Sequence, residues 1–265
     1  MNIALIAFLA IFLLTFLLNI PIPLGMIASA VSYFVLKGRD VGIVAEQMLT
    51  NLEINYVVTA VPLFVFTALV MNTGKITDRV YGFAHALVGR FRGGLAHVNI
   101  LGSVIFSGMT GSAVADASGI GLMEIKAMTE AGYEADFSCA LTATTATIGP
   151  IIPPSIPFII YGVAANISVG ALFLGGVFPG LLLGLSLMLY MYFVARKRNY
   201  PIDPPTPLRE LGIAAWKALP ALFMPILIMG GILSGIFTPT EAAGVTVIYA
   251  VLVGTFVYRK LRLRR

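Results

Sequence analysis

Two stretches of this chain place oxygen-bearing residues inside apolar sequence. Residues 106–121 read FSGMTGSAVADASGIG, and residues 142–157 read TATTATIGPIIPPSIP. A hard cation such as sodium prefers oxygen ligands, and both stretches supply them. In the first, Ser107, Thr110 and Ser112 offer hydroxyls, and unwound backbone from Gly108 through Gly111 to Ser112 would free carbonyls. In the second, Thr142, Thr144, Thr145, Thr147 and Ser155 offer hydroxyls, and Gly149, Pro150, Pro153 and Pro154 interrupt the helix. Proline cannot donate a helical hydrogen bond, so it holds such a break open. A broken helix aims one C-terminal end at a cation and one N-terminal end at a carboxylate. Two breaks therefore suit a sodium ion beside a small anionic solute. The expected sodium ligands are Ser112, Thr110, Thr145 and Gly149.

Other residues carry two readings each. Asp116 falls in the first turn of a half-helix, where an acid caps or complements the dipole. An acid at membrane depth is equally a candidate ion or gating residue. The threonines of 142–147 either contact ion and substrate or bond to carbonyls one turn back. His97 and Cys139 read as packing residues. Glu241, three residues after Thr238, fits a capping box. Gly175, Gly176, Gly180 and Gly184 read as close helix contacts.

These residues need a frame, and composition defines it. Of 265 residues, 58% are hydrophobic and 11% charged, with mean hydropathy +0.95. Soluble domains carry about 25% charged residues, so this is an all-α polytopic membrane protein. The net charge of +5 comes from basic residues flanking apolar spans, which argues against nucleic-acid binding. A single cysteine excludes an internal disulfide. A membrane hydrolase would need a nucleophile with a base, or paired acids. The only histidines are His85 and His97, and Asp116 shows no clear acidic mate.

In chain order, residues 1–71 hold scaffold helices at 3–20, 24–36 and 54–71. Residues 72–92 form an amphipathic interfacial segment carrying Lys75, Arg79, Arg90 and Arg92. Residues 93–168 are the transport-type region, a re-entrant hairpin (93–129) followed by a broken helix (137–168). The hairpin's second arm is expected as one helix over 113–128. Residues 169–218 comprise a long span, a basic Pro-rich loop and a short amphipathic piece at 209–218. Residues 219–265 supply two more spans, ending in Arg259, Lys260, Arg262, Arg264 and Arg265. With a hairpin that returns to its own face, every Lys and Arg except Lys37 and Arg39 falls on one side. The positive-inside rule then places the N-terminus outside and the C-terminus inside. The Pro-linked helix pairs at 3–36 and 219–258 start from opposite faces, as the openings of an inverted repeat would.

The motifs GMTGSAVADASGIG, TIGPIIPPSIPFIIYG and GIFTPTEAAGVTVIYAVLVG, in that order, resemble the large membrane subunit of the tripartite ATP-independent periplasmic (TRAP) transporters. The resemblance runs along essentially the whole chain. It implies an ion-transporter-superfamily fold of two inverted repeats, each with a re-entrant hairpin and a discontinuous helix. This chain would hold the first repeat and the opening of the second, leaving the second repeat incomplete. The resemblance further implies a sodium-driven elevator in the bacterial inner membrane, with a periplasmic N-terminus and the C-terminus of this chain in the cytoplasm. Implied partners are a small four-helix membrane subunit, a periplasmic binding protein and a small carboxylate, with C4-dicarboxylates the commonest cargo. No cofactor is implied beyond sodium as coupling ion. The nearest rival is a symporter of the same superfamily that works without a binding protein, and a non-transporting fragment is a further alternative.

Overall fold

The computed structural model describes residues 3–54, 56–73, 76–202, 204 and 206–258. Lys75 and the basic residues of 259–265, which entered the charge argument, lie outside them. The described residues are helical, with no strand among them. The chain divides into two compact units, Met1–Tyr56 and Val57–Arg265.

The first unit holds α1 (Ile3–Leu17), α2 (Ile22–Leu36) and α3 (Gly42–Ile54). The expected first helix, over 3–20, stops early. Asn19 takes a left-handed conformation at φ 52°, and Pro21 stands at the N-cap of the next helix. At 15 residues each, α1 and α2 are about 22 Å long at 1.5 Å per residue. That is short of a ~30 Å hydrocarbon core unless adjoining residues complete the crossing.

A 3₁₀ turn at Tyr56–Thr59 carries the chain into the second unit, which continues with α4 (Ala60–Thr73) and α5 (Ile76–Val88). α6 (Gly94–Thr110), α7 (Ala113–Ser118) and α8 (Ile120–Glu130) form the hairpin region. α9 (Ala135–Ala146) and α10 (Ile156–Ala165) flank the second break. α11 (Val169–Lys197), α12 (Leu208–Leu233) and α13 (Pro239–Leu252) follow, with a π-helical turn at Val253–Val257. Among the described residues, four helical segments are long and apolar enough to cross a membrane: Tyr56–Thr73, Val169–Lys197, Leu208–Leu233 and Pro239–Val257. The outer face of α11 exposes Leu174, Phe178, Leu181, Leu182, Leu185 and Leu189. An apolar stripe of that length needs lipid or another subunit around it.

Two differences from the sequence reading have local causes. The piece at 209–218 and the span after it form one helix, α12, with Pro220 and Pro225 inside it. The hairpin's second arm is two helices, because the backbone turns out of helical geometry at Gly119 (φ −88°, ψ −95°).

The main core joins Phe64 and Met71 of α4, Ile76 and Val80 of α5, Met224 and Ile228 of α12 and Ala243 of α13. Met109, Ile159 and Phe173 anchor α6, α10 and α11 to it. A second cluster holds the other end of the hairpin through Ala96, Ile100, Met128, Leu141 and Met191. There Arg198 pairs with Glu134, lies over the Phe137 ring and donates to the Tyr200 hydroxyl. Tyr200 stacks on Tyr133 at 4.2 Å, so the loop after α11 is tied to the α8–α9 turn. The hairpin is thus held at both ends, which fixes where its turn can sit.

The start of α13 follows the capping box expected at Thr238 and Glu241. The Glu241 amide donates to Thr238 Oγ1, and Glu241 Oε2 accepts from the Thr238 amide at 2.8 Å. Thr238→Ala is expected to destabilise the chain by about 1 kcal/mol, read as a lowered unfolding midpoint in detergent. Thr238→Ser, which keeps the hydroxyl, should leave the midpoint near wild type.

Candidate functional site

The two interruptions meet. α6 ends at Thr110, and Gly111 reverses the chain in the left-handed region at φ 62°. Ser112 then caps α7, its Oγ accepting from the Ala115 amide at 3.3 Å. On the other side, α9 ends at Ala146 and irregular backbone runs to Ser155, which caps α10 by accepting from the Phe158 amide. The Ser155 hydroxyl donates back to the Pro150 carbonyl. The bond that joins the breaks runs from the Ile156 amide to the Gly111 carbonyl, at 3.2 Å.

Glycine is required at position 111 of this junction, whereas position 149 is close-packed without being closed to a methyl group. A Cβ at Gly111 would stand 2.1 Å from the Pro154 carbonyl oxygen, and one at Gly149 3.2 Å from the Ala113 amide nitrogen. Two capped half-helix N-termini, those of α7 and α10, therefore stand beside the ends of α6 and α9. Helix starts favour negative charge and helix ends positive charge, so the junction has the electrostatic form of a site for an ion pair.

The expected site residues distribute unevenly around it. Ser107, Gly108, Thr110 and Gly111 are buried at the end of α6, with Ser112 half-buried beside them. Ser107 and Thr110 bond back to carbonyls of their own helix. Pro153, Pro154, Ser155 and Gly149 are buried, and Pro150 is half-buried. Thr144 and Thr147 are exposed, donating to the carbonyls of Ala140 and Thr144. Thr145 is buried, and its hydroxyl donates to Asn99.

Asp116 does not cap α7, since Ser112 does. Its carboxylate is 1% exposed, and neither oxygen has a hydrogen-bond partner. His97 is buried, with Nδ1 3.2 Å from the Gly93 carbonyl and its ring against Phe91, as a packing residue would be. Cys139, read as packing, is instead exposed, because it occupies the face of α9 turned away from α6 and α8. Among the glycines of α11, 176, 180 and 184 abut Ile151, Ile152 and Val104, whereas Gly175 abuts nothing.

Asn99 and Glu124, both buried, are among the polar residues that escaped the sequence reading. Asn99 on α6 donates to Thr142 Oγ1 at 2.7 Å and accepts from Thr145 Oγ1 at 2.7 Å. It ties the first hairpin arm to the first half of the broken helix. Its partners lie more than forty residues away, and nothing local marks it beyond an amide in an apolar run. Glu124 on α8 is the second buried acid of the hairpin region. It is 1% exposed, and it too lacks a hydrogen-bond partner. A buried carboxylate in a helix otherwise written GLMEIKAM was the available signal.

Spanning-length helices and a lipid-type apolar exterior mark a multi-pass membrane protein, one with two abutting helix breaks inside it. The chain belongs to the family described as tripartite ATP-independent periplasmic transporter, DctM component, whose model matches residues 5–265. It is 46% identical over 247 residues to the sialic acid TRAP transporter large permease protein SiaM of Vibrio cholerae, covering 93% of this chain and 58% of that protein. It is 42% identical to the sialic acid TRAP transporter permease protein SiaT of Haemophilus influenzae, over 97% of this chain and 42% of that protein. It is 43% identical to the C4-dicarboxylate TRAP transporter large permease protein DctM of Pseudomonas aeruginosa, over 79% and 49%. The chain thus spans about half the length of these relatives. Their names place it among transport proteins rather than enzymes.

Proposed function

We propose that this chain is part of the large membrane subunit of a sodium-coupled carrier for a small organic acid. In this reading it sits in the bacterial inner membrane with its N-terminus periplasmic and its 196–217 region cytoplasmic. It works with a small membrane subunit and a periplasmic binding protein, by elevator-type movement of the hairpin and broken helix. The observation that carries the reading is the abutment of the two breaks through the Gly111 carbonyl and Ile156 amide. Carbonyls at the ends of α6 and α9, with the Ser112, Thr110 and Thr145 oxygens, are the sodium ligands. The starts of α7 and α10 face the carboxylate. Relatives named for sialic acid and for C4-dicarboxylates share a carboxylate cargo, which is the substrate class assigned here.

The test is uptake of radiolabelled sialic acid and succinate into proteoliposomes. These hold the complete large subunit, its small subunit and matched binding protein. An inward sodium gradient is expected to drive accumulation of one of them. Accumulation driven equally well with sodium replaced by potassium would overturn the sodium reading.

A further inference from the structure

A groove carrying charge of both signs lies between α5 and α12, on residues other than those of the helix breaks. Asp78 and Arg79 border it from α5, and Glu210 and Lys217 from α12. Its volume is about 210 Å³. It shares Gly82, Glu210 and Ala214 with an adjoining hollow of about 560 Å³ that reaches Pro204 and Pro207. A Cβ at Gly82 would meet nothing within 4 Å, so the groove is open where α5 has no side chain to fill it. Both helices contribute to the main core, through Ile76 and Val80 on one and Ala221 and Met224 on the other. The groove is therefore a fixed feature of the fold.

The four charges are not spent on one another. Asp78 and Arg79 are consecutive, and consecutive residues of a helix do not face each other. Glu210 and Lys217 stand two turns apart, ~10 Å along the axis. Across the groove, no ion pair joins them among the described residues, where the ion pairs are Lys126–Glu130 and Arg198–Glu134. Tyr258 instead organises the basic side. The Arg79 guanidinium lies over its ring, 5.9 Å from the centroid, and its hydroxyl donates to the Lys217 carbonyl at 2.8 Å.

This charge pattern selects the occupant. The acids and bases balance, so a purely anionic group would gain from Arg79 and Lys217 but lose to Asp78 and Glu210. A group that carries a phosphate and an ammonium satisfies both sides. The setting selects the source of that group. Phe83 and Ile213 give the groove an apolar lining. Trp216, a surface neighbour of Ile213 three residues on, is 76% exposed, and Leu219 and Phe223 are exposed beyond it. Exposed tryptophan belongs at the boundary between headgroups and hydrocarbon. A molecule with its head in the groove would thus have its chains along α12.

We propose that the α5–α12 groove binds the headgroup of a zwitterionic phospholipid, with the phosphate toward Arg79 and Lys217 and the ammonium toward Asp78 and Glu210. A headgroup seated there bridges α12 to α5, the helix that leads into the hairpin. The inference depends neither on sodium coupling nor on the identity of the cargo.

Trp216 is the single tryptophan of the chain, so its fluorescence reports on lipid at this place. The chain is reconstituted in bilayers of equal parts phosphatidylethanolamine and phosphatidylglycerol, with bromine on the acyl chains of one or the other. Bromine quenches tryptophan only at short range. Brominated phosphatidylethanolamine is expected to quench as a lipid bound roughly three- to tenfold more tightly than brominated phosphatidylglycerol, the range that two partly exposed ion pairs allow. Asp78→Asn with Glu210→Gln leaves only the bases and should reverse the preference. Gly82→Phe keeps every charge, fills the groove and should abolish it. All three positions are exposed, so the core is untouched. Equal quenching by the two lipids in the unmodified chain would overturn the proposal. So would a preference that Gly82→Phe leaves intact, which would place the lipid at general contacts along α12. Millimolar glycerophosphoethanolamine, the headgroup without chains, should leave the quenching unchanged. Displacement by it would mark the site of a soluble solute instead and overturn the lipid assignment.

Discussion

Gly111→Ala is expected to disrupt the junction of the two helix breaks more than any other single methyl addition in the chain. Two costs combine. An L-residue in the left-handed region costs roughly 1–2 kcal/mol, and Gly111 sits there at φ 62°. The new Cβ would also stand 2.1 Å from the Pro154 carbonyl oxygen and 2.8 Å from its carbon. These are backbone atoms and cannot rotate aside. Relief requires the two segments to part, which breaks the Ile156-to-Gly111 hydrogen bond. With the backbone clash added to the conformational cost, the total is on the order of 3–5 kcal/mol, at the upper end of single-substitution effects. Gly149→Ala is the control. Its Cβ would come no closer than 3.2 Å to any neighbour, and its backbone is not left-handed. The unfolding midpoint in detergent should fall steeply for Gly111→Ala and little for Gly149→Ala. Equal effects would mean that the junction is not the tight contact described.

Asn99→Leu is the second large effect. Asn99 is fully buried and satisfies two threonine hydroxyls at once. Removing the amide strands the Thr142 hydroxyl as an acceptor and leaves Thr145 only its longer bond to the Thr142 carbonyl, at 3.1 Å. Each stranded buried polar group costs roughly 1–3 kcal/mol, so the single substitution should destabilise by roughly 2–5 kcal/mol. The logic is reciprocal. Replacing both partners by apolar groups of similar shape is close to neutral, so Asn99→Leu with Thr142→Val and Thr145→Val should recover much of the loss. Thermal unfolding of the single and triple variants in the same detergent measures this. A triple variant no more stable than the single one would show that the amide is not a cross-link between the two arms.

Much of this architecture was legible in the sequence. The Gly/Ser/Thr and Gly/Pro interruptions announced themselves because they stand in apolar runs, where unsatisfied backbone is costly. The capping box at Thr238 was legible because it closes over three residues. Legibility failed where partners are distant in the chain. Asn99 takes its meaning from residues 142 and 145, and Glu124 from Gly102, all brought together only by folding. The threonines of 142–147 illustrate the middle case. Their chemistry was visible, but not that Thr145 turns inward to Asn99 while Thr144 and Thr147 turn outward. The expected division between 209–218 and the span after it did not come: α12 runs through both and through Pro220 and Pro225, since tertiary packing against α5 and α13 outweighs the local cost of a proline.

The glycines of α11 bear on how this molecule can move. Gly176, Gly180 and Gly184 recur every four residues along one side, and each meets Ile151, Ile152, Phe158 or Val104 from the segments that carry the breaks. Interlocked side chains make a packed interface bistable, so that one element jumps past another by whole turns. Here one surface has no teeth. The aliphatic side chains of the break rest on bare backbone, so a shift along the helix axis does not require one row of side chains to climb over another. On the elevator reading proposed above, this bare strip of α11 is the surface along which the break region would slide.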